Sequence, residues 1–340
     1  MLYYYALLYY NINLKQINTM KKIHLISTLI GLLAFSTISK ADLKVVTSIK
    51  PIHSLASYIM DGVGSPGLIV DGYNSPHNFQ LKPSHAKMLE QADIIFWVGE
   101  DLENFLEKPL DTIAKKAEKI ELLEIKGIKK LKFRERNIFE EHDDHGHDAK
   151  KEEHDDHGHD AKKEEHDDHE GHGHGEYDPH IWLDPINAKV ILNEITEHLI
   201  ENDSKNASIY KSNLAKALAE IDKLIIDVIT ETNTDLSYVV FHDAYQYYEN
   251  RFNVNILGAM TVNPDVMPGA EQIHEIHEVI EHDNVSCILS EPQFNPDIIK
   301  SIAKDTNVKT GVLDPLGANL KPGKDLYFDL IRNMSASFNC

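Results

Sequence analysis

A block that has no means of folding divides this chain. Glu140-Glu141-His142-Asp143-Asp144-His145-Gly146-His147-Asp148-Ala149-Lys150-Lys151 recurs unchanged as Glu152 to Lys163. A degraded third copy follows, Glu164-Glu165-His166-Asp167-Asp168-His169, and then Glu170-Gly171-His172-Gly173-His174. The repeat contains no apolar residue larger than Ala. It has no face to bury, so 140–176 reads as a disordered insertion, and any core must come from the flanks.

Half of the chain's 20 histidines lie in this insertion: His142, His145, His147, His154, His157, His159, His166, His169, His172 and His174. Imidazole and carboxylate at this density suit borderline divalent cations, Zn²⁺ above all, in weak and interchangeable sites. A solubilising spacer would need only Asp, Glu and Lys. The insertion also holds sixteen acidic and four basic residues, −12 of the formal net charge of −21. What remains is moderately acidic and shows no basic stripe, which excludes nucleic acid as a partner.

The N-terminus carries an export pattern. Lys21 and Lys22 precede an apolar run from Ile23 to Phe35, and Ser39-Lys40-Ala41 offers a small-x-Ala cleavage site before Asp42. The run is too short for a permanent span. No cysteine stands near the cleavage point. The expectation is a soluble periplasmic protein with no lipid anchor, and Met1 to Thr19, rich in Tyr, reads as an upstream extension. His24 would leave with the leader. In an oxidising compartment the two cysteines, Cys287 and Cys340, read as a disulfide.

Both flanks alternate strands with helices, which implies parallel sheets with crossover helices. Before the insertion, strands are expected over 43–49, 67–70 and 94–98, with helices over 51–60 and 83–91. After it come helices over 187–200 and 205–231, the second unusually long. Strands over 238–241, 256–260, 285–289 and 310–313 follow, with helices over 270–281 and 296–304 and a closing helix to about Phe338. The expected fold is α/β: two lobes, each with a mostly parallel sheet flanked by helices, joined by one long helix. The expected divisions are a leader to 41, an N-terminal lobe over 42–203 carrying the insertion, a linking helix over 204–234, and a C-terminal lobe over 235–340.

Three loops present a histidine: Ser75-Pro76-His77-Asn78-Phe79, Asp178-Pro179-His180-Ile181-Trp182-Leu183, and Phe241-His242-Asp243-Ala244-Tyr245. His242 ends an apolar strand, where parallel sheets place their ligands. Three histidines so far apart in sequence do not by themselves define a metal site.

With Leu81-Lys82-Pro83-Ser84, Asn263-Pro264-Asp265-Val266-Met267-Pro268-Gly269, Ser290-Glu291-Pro292-Gln293-Phe294 and Leu313-Asp314-Pro315-Leu316-Gly317, these loops carry a resemblance. The chain resembles the cluster A-I substrate-binding proteins of ABC importers, and among them the periplasmic zinc-binding members, over essentially the whole of 42–340. The acidic His-rich insertion and the cysteine pair also match the zinc members. The resemblance implies one Zn²⁺ between the lobes on His77, His180 and His242, with Asp314 or water as the fourth ligand. Some zinc members carry Glu just before the first His, where this chain has Pro76. Manganese relatives place a carboxylate at the third position; a histidine there favours Zn²⁺.

The resemblance further implies delivery to an inner-membrane permease and its ATPase, with the insertion as collector or sensor. It implies a monomer without catalytic activity, and the stiff long helix over 205–231 is expected to allow little hinge motion. Glu291, Asp184 and Asp243 are candidates for orienting the ligand imidazoles. His53 and His85 read as structural, and His274 and His277 as an exposed helix face. Three other functions stay in view. A zinc hydrolase would need a general base and a substrate pocket, and no His-Glu-x-x-His pattern is present. An adhesin would need an anchor. A metal buffer would bind through 140–176 alone.

Overall fold

The computed structural model describes residues 42–134, 136–139, 175–264 and 266–340. The expected signal peptide and the repeat over 140–174 lie outside the described residues.

The first half builds β1 (Val45–Ile49), α1 (Lys50–Ile59), β2 (Gly67–Val70), α2 (Pro83–Gln91), β3 (Ile94–Trp97), α3 (Glu100–Thr112) and β4 (Glu118–Glu121). Every pairing is parallel, in the order β2-β1-β3-β4. β1 and β3 are wholly buried, as expected for strands covered by helices on both faces. That is why β3 is a continuous apolar run and β1 adds only the small hydroxyls of Thr47 and Ser48 to its apolar residues.

After the insertion come α4 (Pro185–Asn202) and α5 (Ala207–Glu231), then β5 (Ser237–His242), α6 (Gln246–Phe252), β6 (Asn255–Thr261), α7 (Ala270–His282), β7 (Cys287–Ser290), α8 (Asp297–Thr306), β8 (Lys309–Val312) and α9 (Leu326–Ser337). The second sheet is again all parallel, ordered β6-β5-β7-β8. The two sheets therefore repeat one topology, and the expected two-lobed α/β architecture with its long helix stands. Three elements were not expected from the sequence: α3, β4 and α6. β4 is Glu-Lys-Ile-Glu with only Ile120 buried, the mark of an edge strand rather than a core one.

α5 has 25 residues, about 37 Å at 1.5 Å per residue. It packs on α1, α4 and α9, and Ala217, Ile221, Leu224 and Val228 on one face are fully buried. The lobes are joined elsewhere too. Trp182 Nε1 donates to the Pro315 carbonyl at 2.8 Å, and Tyr327 on α9 donates to the Trp182 carbonyl at 2.9 Å. Lys50 at the start of α1 is buried, and its ammonium donates to the carbonyls of Gly317, Ala318 and Leu320 at 2.6, 3.0 and 2.7 Å. Cys287 on β7 and Cys340 form the expected disulfide, which fastens the end of α9 to the second sheet.

The insertion leaves from a paired stem. Lys132 bridges Tyr177 antiparallel, and Asp178 N donates to the Leu131 carbonyl at 2.8 Å. On the outgoing side Ile138 bridges Gly258 of β6, so this segment covers the edge of the second sheet. His180 follows directly on the returning stem.

Candidate metal centre

In the second sheet, chain connectivity leaves β5 for one neighbour and crosses back to β7 on the other side. Ligands of open α/β sheets sit at the carboxyl ends of such a pair. His242 is the last residue of β5 and Glu291 follows the last residue of β7. His77 comes from the loop between β2 and α2, and His180 from the returning stem, just before a short 3₁₀ turn over Ile181–Leu183. One ligand atom from each of the three histidines lies within 4.8 Å of the others. His180 and His242 are buried and His77 is half-buried.

The nitrogens are oriented. Asp178 Oδ1 accepts from His180 Nδ1 at 2.7 Å and from His180 N at 2.9 Å. Glu291 Oε1 accepts from His242 Nδ1 at 2.6 Å. A carboxylate only accepts, so both Nδ1 atoms carry a proton and both Nε2 atoms turn inward. The two Nε2 atoms stand 3.3 Å apart. Two nitrogens bound tetrahedrally to Zn²⁺ at about 2.0–2.1 Å would be separated by about 3.3–3.4 Å. At that distance either a proton shared from His242 to His180 or a metal cation must lie between the two nitrogens.

The electrostatics agree. Burial, reinforced by the neighbouring His242, holds His180 well below the usual imidazole range. Burial also disfavours charge on His242, but the Glu291 carboxylate and its hydrogen bond outweigh that and raise it. Behind the pair, burial pushes Asp178 and Asp243 up to about 7. The Arg134 guanidinium lies between Asp243 Oδ1 at 2.9 Å and Glu249 Oε2 at 2.6 Å, with its plane over the Phe139 ring. Phe294 packs edge-on against the His242 ring, their centroids 5.9 Å apart. Trp182, Pro315 and Leu316 help to line the pocket with the three histidines.

The sequence-derived candidates divide. His77, His180 and His242 come together. Asp314 is taken up by its own loop: Oδ1 accepts from Leu316 N, Gly317 N and Gln293 Nε2, and Oδ2 from Ala318 N. It is not among the converging donors. Of the three residues expected to orient ligands, only Glu291 touches one. Asp184 caps α4 through Ile186 N and pairs with Arg251, and Asp243 pairs with Arg134. Asp178, overlooked in the sequence, orients His180; an acidic residue two before a ligand histidine was the available signal. His85 Nδ1 accepts from Lys82 N at the start of α2, His53 faces Ser57, and His274 is exposed on α7. The repeat histidines lie outside the described residues.

The family described as zinc-uptake complex component A, periplasmic, matches residues 45–339. A high-affinity zinc uptake protein from Brucella abortus (strain 2308) is 48% identical over 301 residues, covering 86% of this chain and 90% of the relative. One from Yersinia pestis is 36% identical over 319 residues, covering 91% and 94%. Among solved structures, ZnuA superposes with a TM-score of 0.68 at 20% identity, covering 88% of this chain and 100% of that one. The laminin-binding adhesin of Streptococcus agalactiae gives 0.67 at 21%, covering 87% and 98%. The structural likenesses establish the fold.

Proposed function

The chain belongs to the family of periplasmic zinc-uptake components, and on that premise we propose that it captures Zn²⁺ on His77, His180 and His242 and delivers it to a membrane ABC importer. One observation carries the proposal: two inward Nε2 atoms at 3.3 Å, each imidazole held by a carboxylate on its far nitrogen. Three neutral nitrogens suit Zn²⁺ better than Mn²⁺. Water fills the fourth position, because Asp314 is engaged by four donors of its own lobe. The partners are a permease and its ATPase, met by a monomer. The leader before Asp42 directs export to the periplasm as a soluble protein.

Binding is favoured over hydrolysis. Glu291 and Asp178 are each committed to an imidazole, and among the described residues no further carboxylate joins the three converging nitrogens. Neither Glu291 nor Asp178 is free to act as a general base on a metal-bound water. The insertion His142 to His174 serves as an auxiliary collector whose weak sites feed the tight one.

Growth under zinc starvation tests the proposal. In a bacterium lacking its own zinc-binding component, the chain should restore growth in chelator-treated medium and His77→Ala should not. Equal rescue by both would contradict the assignment.

A further inference from the structure

A second group of metal-ligating side chains lies on the N-terminal lobe, apart from the three histidines. His198 on α4 faces the edge strand β4, its side chain 19% exposed and its ring edge-on to Phe96 of β3. Glu118 Oε1 of β4 lies 2.8 Å from His198 Nδ1. One turn back, Glu194 Oε1 lies 3.2 Å from His198 Nε2 in a hydrogen bond. Glu201, three residues on and on the same helical face, completes a set in which His198, Glu118 and Glu201 each bring a ligand atom within 4.8 Å of the others. Asn202 holds Glu118 through its other oxygen, Oε2, at 2.9 Å, leaving Oε1 turned to the imidazole.

The contact between Nδ1 and Glu118 Oε1 is close but off the line of a hydrogen bond, and Nδ1 is a buried nitrogen with no hydrogen-bond partner. A neutral imidazole has one N–H. With that proton on Nε2 for Glu194, Nδ1 presents a lone pair to a carboxylate lone pair. Three carboxylates thus surround one imidazole. Among the described residues no Lys or Arg is ion-paired with any of them; Lys119, next to Glu118, turns to Asp111 instead. A cation ligated by both Nδ1 and Oε1 would turn this repulsion into binding.

We infer that His198, Glu118 and Glu201 form a second divalent-metal site that clips the edge strand β4 to α4, with Glu194 orienting the imidazole from its far nitrogen. One nitrogen and two carboxylates suit Zn²⁺, and with harder ligands than the interlobe site they also accept Mn²⁺. The ion binds only where β4 and α4 are docked, so it stabilises the fold by mass action.

Zinc-edge anomalous scattering from crystals of the full chain soaked in excess Zn²⁺ reads this directly. The expected map has one peak among His77, His180 and His242 and another between His198 Nδ1, Glu118 and Glu201. His198→Ala and the conservative Glu201→Gln should each remove the second peak and keep the first. Absence of a peak at His198 in the unsubstituted chain, whatever the interlobe site holds, overturns the second site. An empty interlobe site beside an occupied His198 would instead overturn the proposed function and leave this site standing. In solution, imidazole ¹⁵N resonances separate the site from a protonated His198 bridging two carboxylates. Metal ligation shifts Nδ1 on adding Zn²⁺, whereas an imidazolium unresponsive to Zn²⁺ overturns the inference.

Discussion

His242 is held by Glu291 at 2.6 Å between Nδ1 and Oε1, from the carboxyl ends of two adjacent parallel strands. That contact fixes the tautomer, aims Nε2 at His180, and raises the proton affinity of the imidazole. Glu291 therefore tunes the site without being one of its ligands.

Replacing Glu291 should weaken the site while leaving its composition intact. Partners that orient metal-bound histidines typically contribute 10- to 100-fold in affinity. Glu291→Gln keeps an acceptor near Nδ1 but removes the charge, so we expect Zn²⁺ affinity to fall by about tenfold in a chelator competition. The visible spectrum of the Co²⁺-loaded protein should stay that of the parent.

Binding should be proton-linked through His242. Its pKa lies above the usual imidazole value and that of His180 well below. The proton that Zn²⁺ must displace on binding is therefore held by His242 rather than by His180. Affinity should fall as pH drops through the raised pKa of His242, so the loss begins above the ordinary imidazole value of about 6.5. Calorimetry at pH 7 in buffers of different ionisation enthalpy should report proton release that shrinks at higher pH. Affinity that is flat down to pH 5 would contradict ligation by His242.

Asp314 distinguishes a ligand from a loop anchor. Its carboxylate accepts from three backbone N–H groups and Gln293, and Lys50 binds the carbonyls of the same loop. Asp314→Asn should lower unfolding stability by about 1–3 kcal/mol, measured by denaturant titration, and leave the Co²⁺ spectrum unchanged. A changed spectrum with intact stability would make Asp314 the fourth ligand.

The disulfide should matter for stability alone. Cys287 and Cys340 are 53 residues apart, and closing a loop of that size stabilises by about 4 kcal/mol in the chain-entropy model. Cys340→Ser should lose about 2–4 kcal/mol in denaturant titration and keep its Zn²⁺ affinity.

Much of this was legible in the sequence, for identifiable reasons. β3 and β5 are buried on both faces, so Ile94–Trp97 and Tyr238–Phe241 are written as apolar runs. β4 is an edge strand of alternating charge, and α6, Gln-Tyr-Tyr-Glu-Asn-Arg-Phe, is too short for a helical period to register. The three ligand histidines could be singled out only through their loop motifs, since no spacing connects positions 77, 180 and 242. Asp184 was a candidate for orienting a ligand imidazole and instead caps α4. Its place before Pro185 was the better guide, an N-cap with proline at the first helical position. The lobe-to-lobe contacts of Lys50 and Trp182 left no trace in the sequence, because long-range packing has no period.

Competitive Zn²⁺ titration of the chain and of His242→Ala, each with and without residues 140–176, is the most direct test of the central claim. We predict one tight site that survives removal of the insertion and disappears with His242→Ala. Tight binding that vanishes with the insertion and ignores His242 would contradict the interlobe site and leave the protein a zinc buffer.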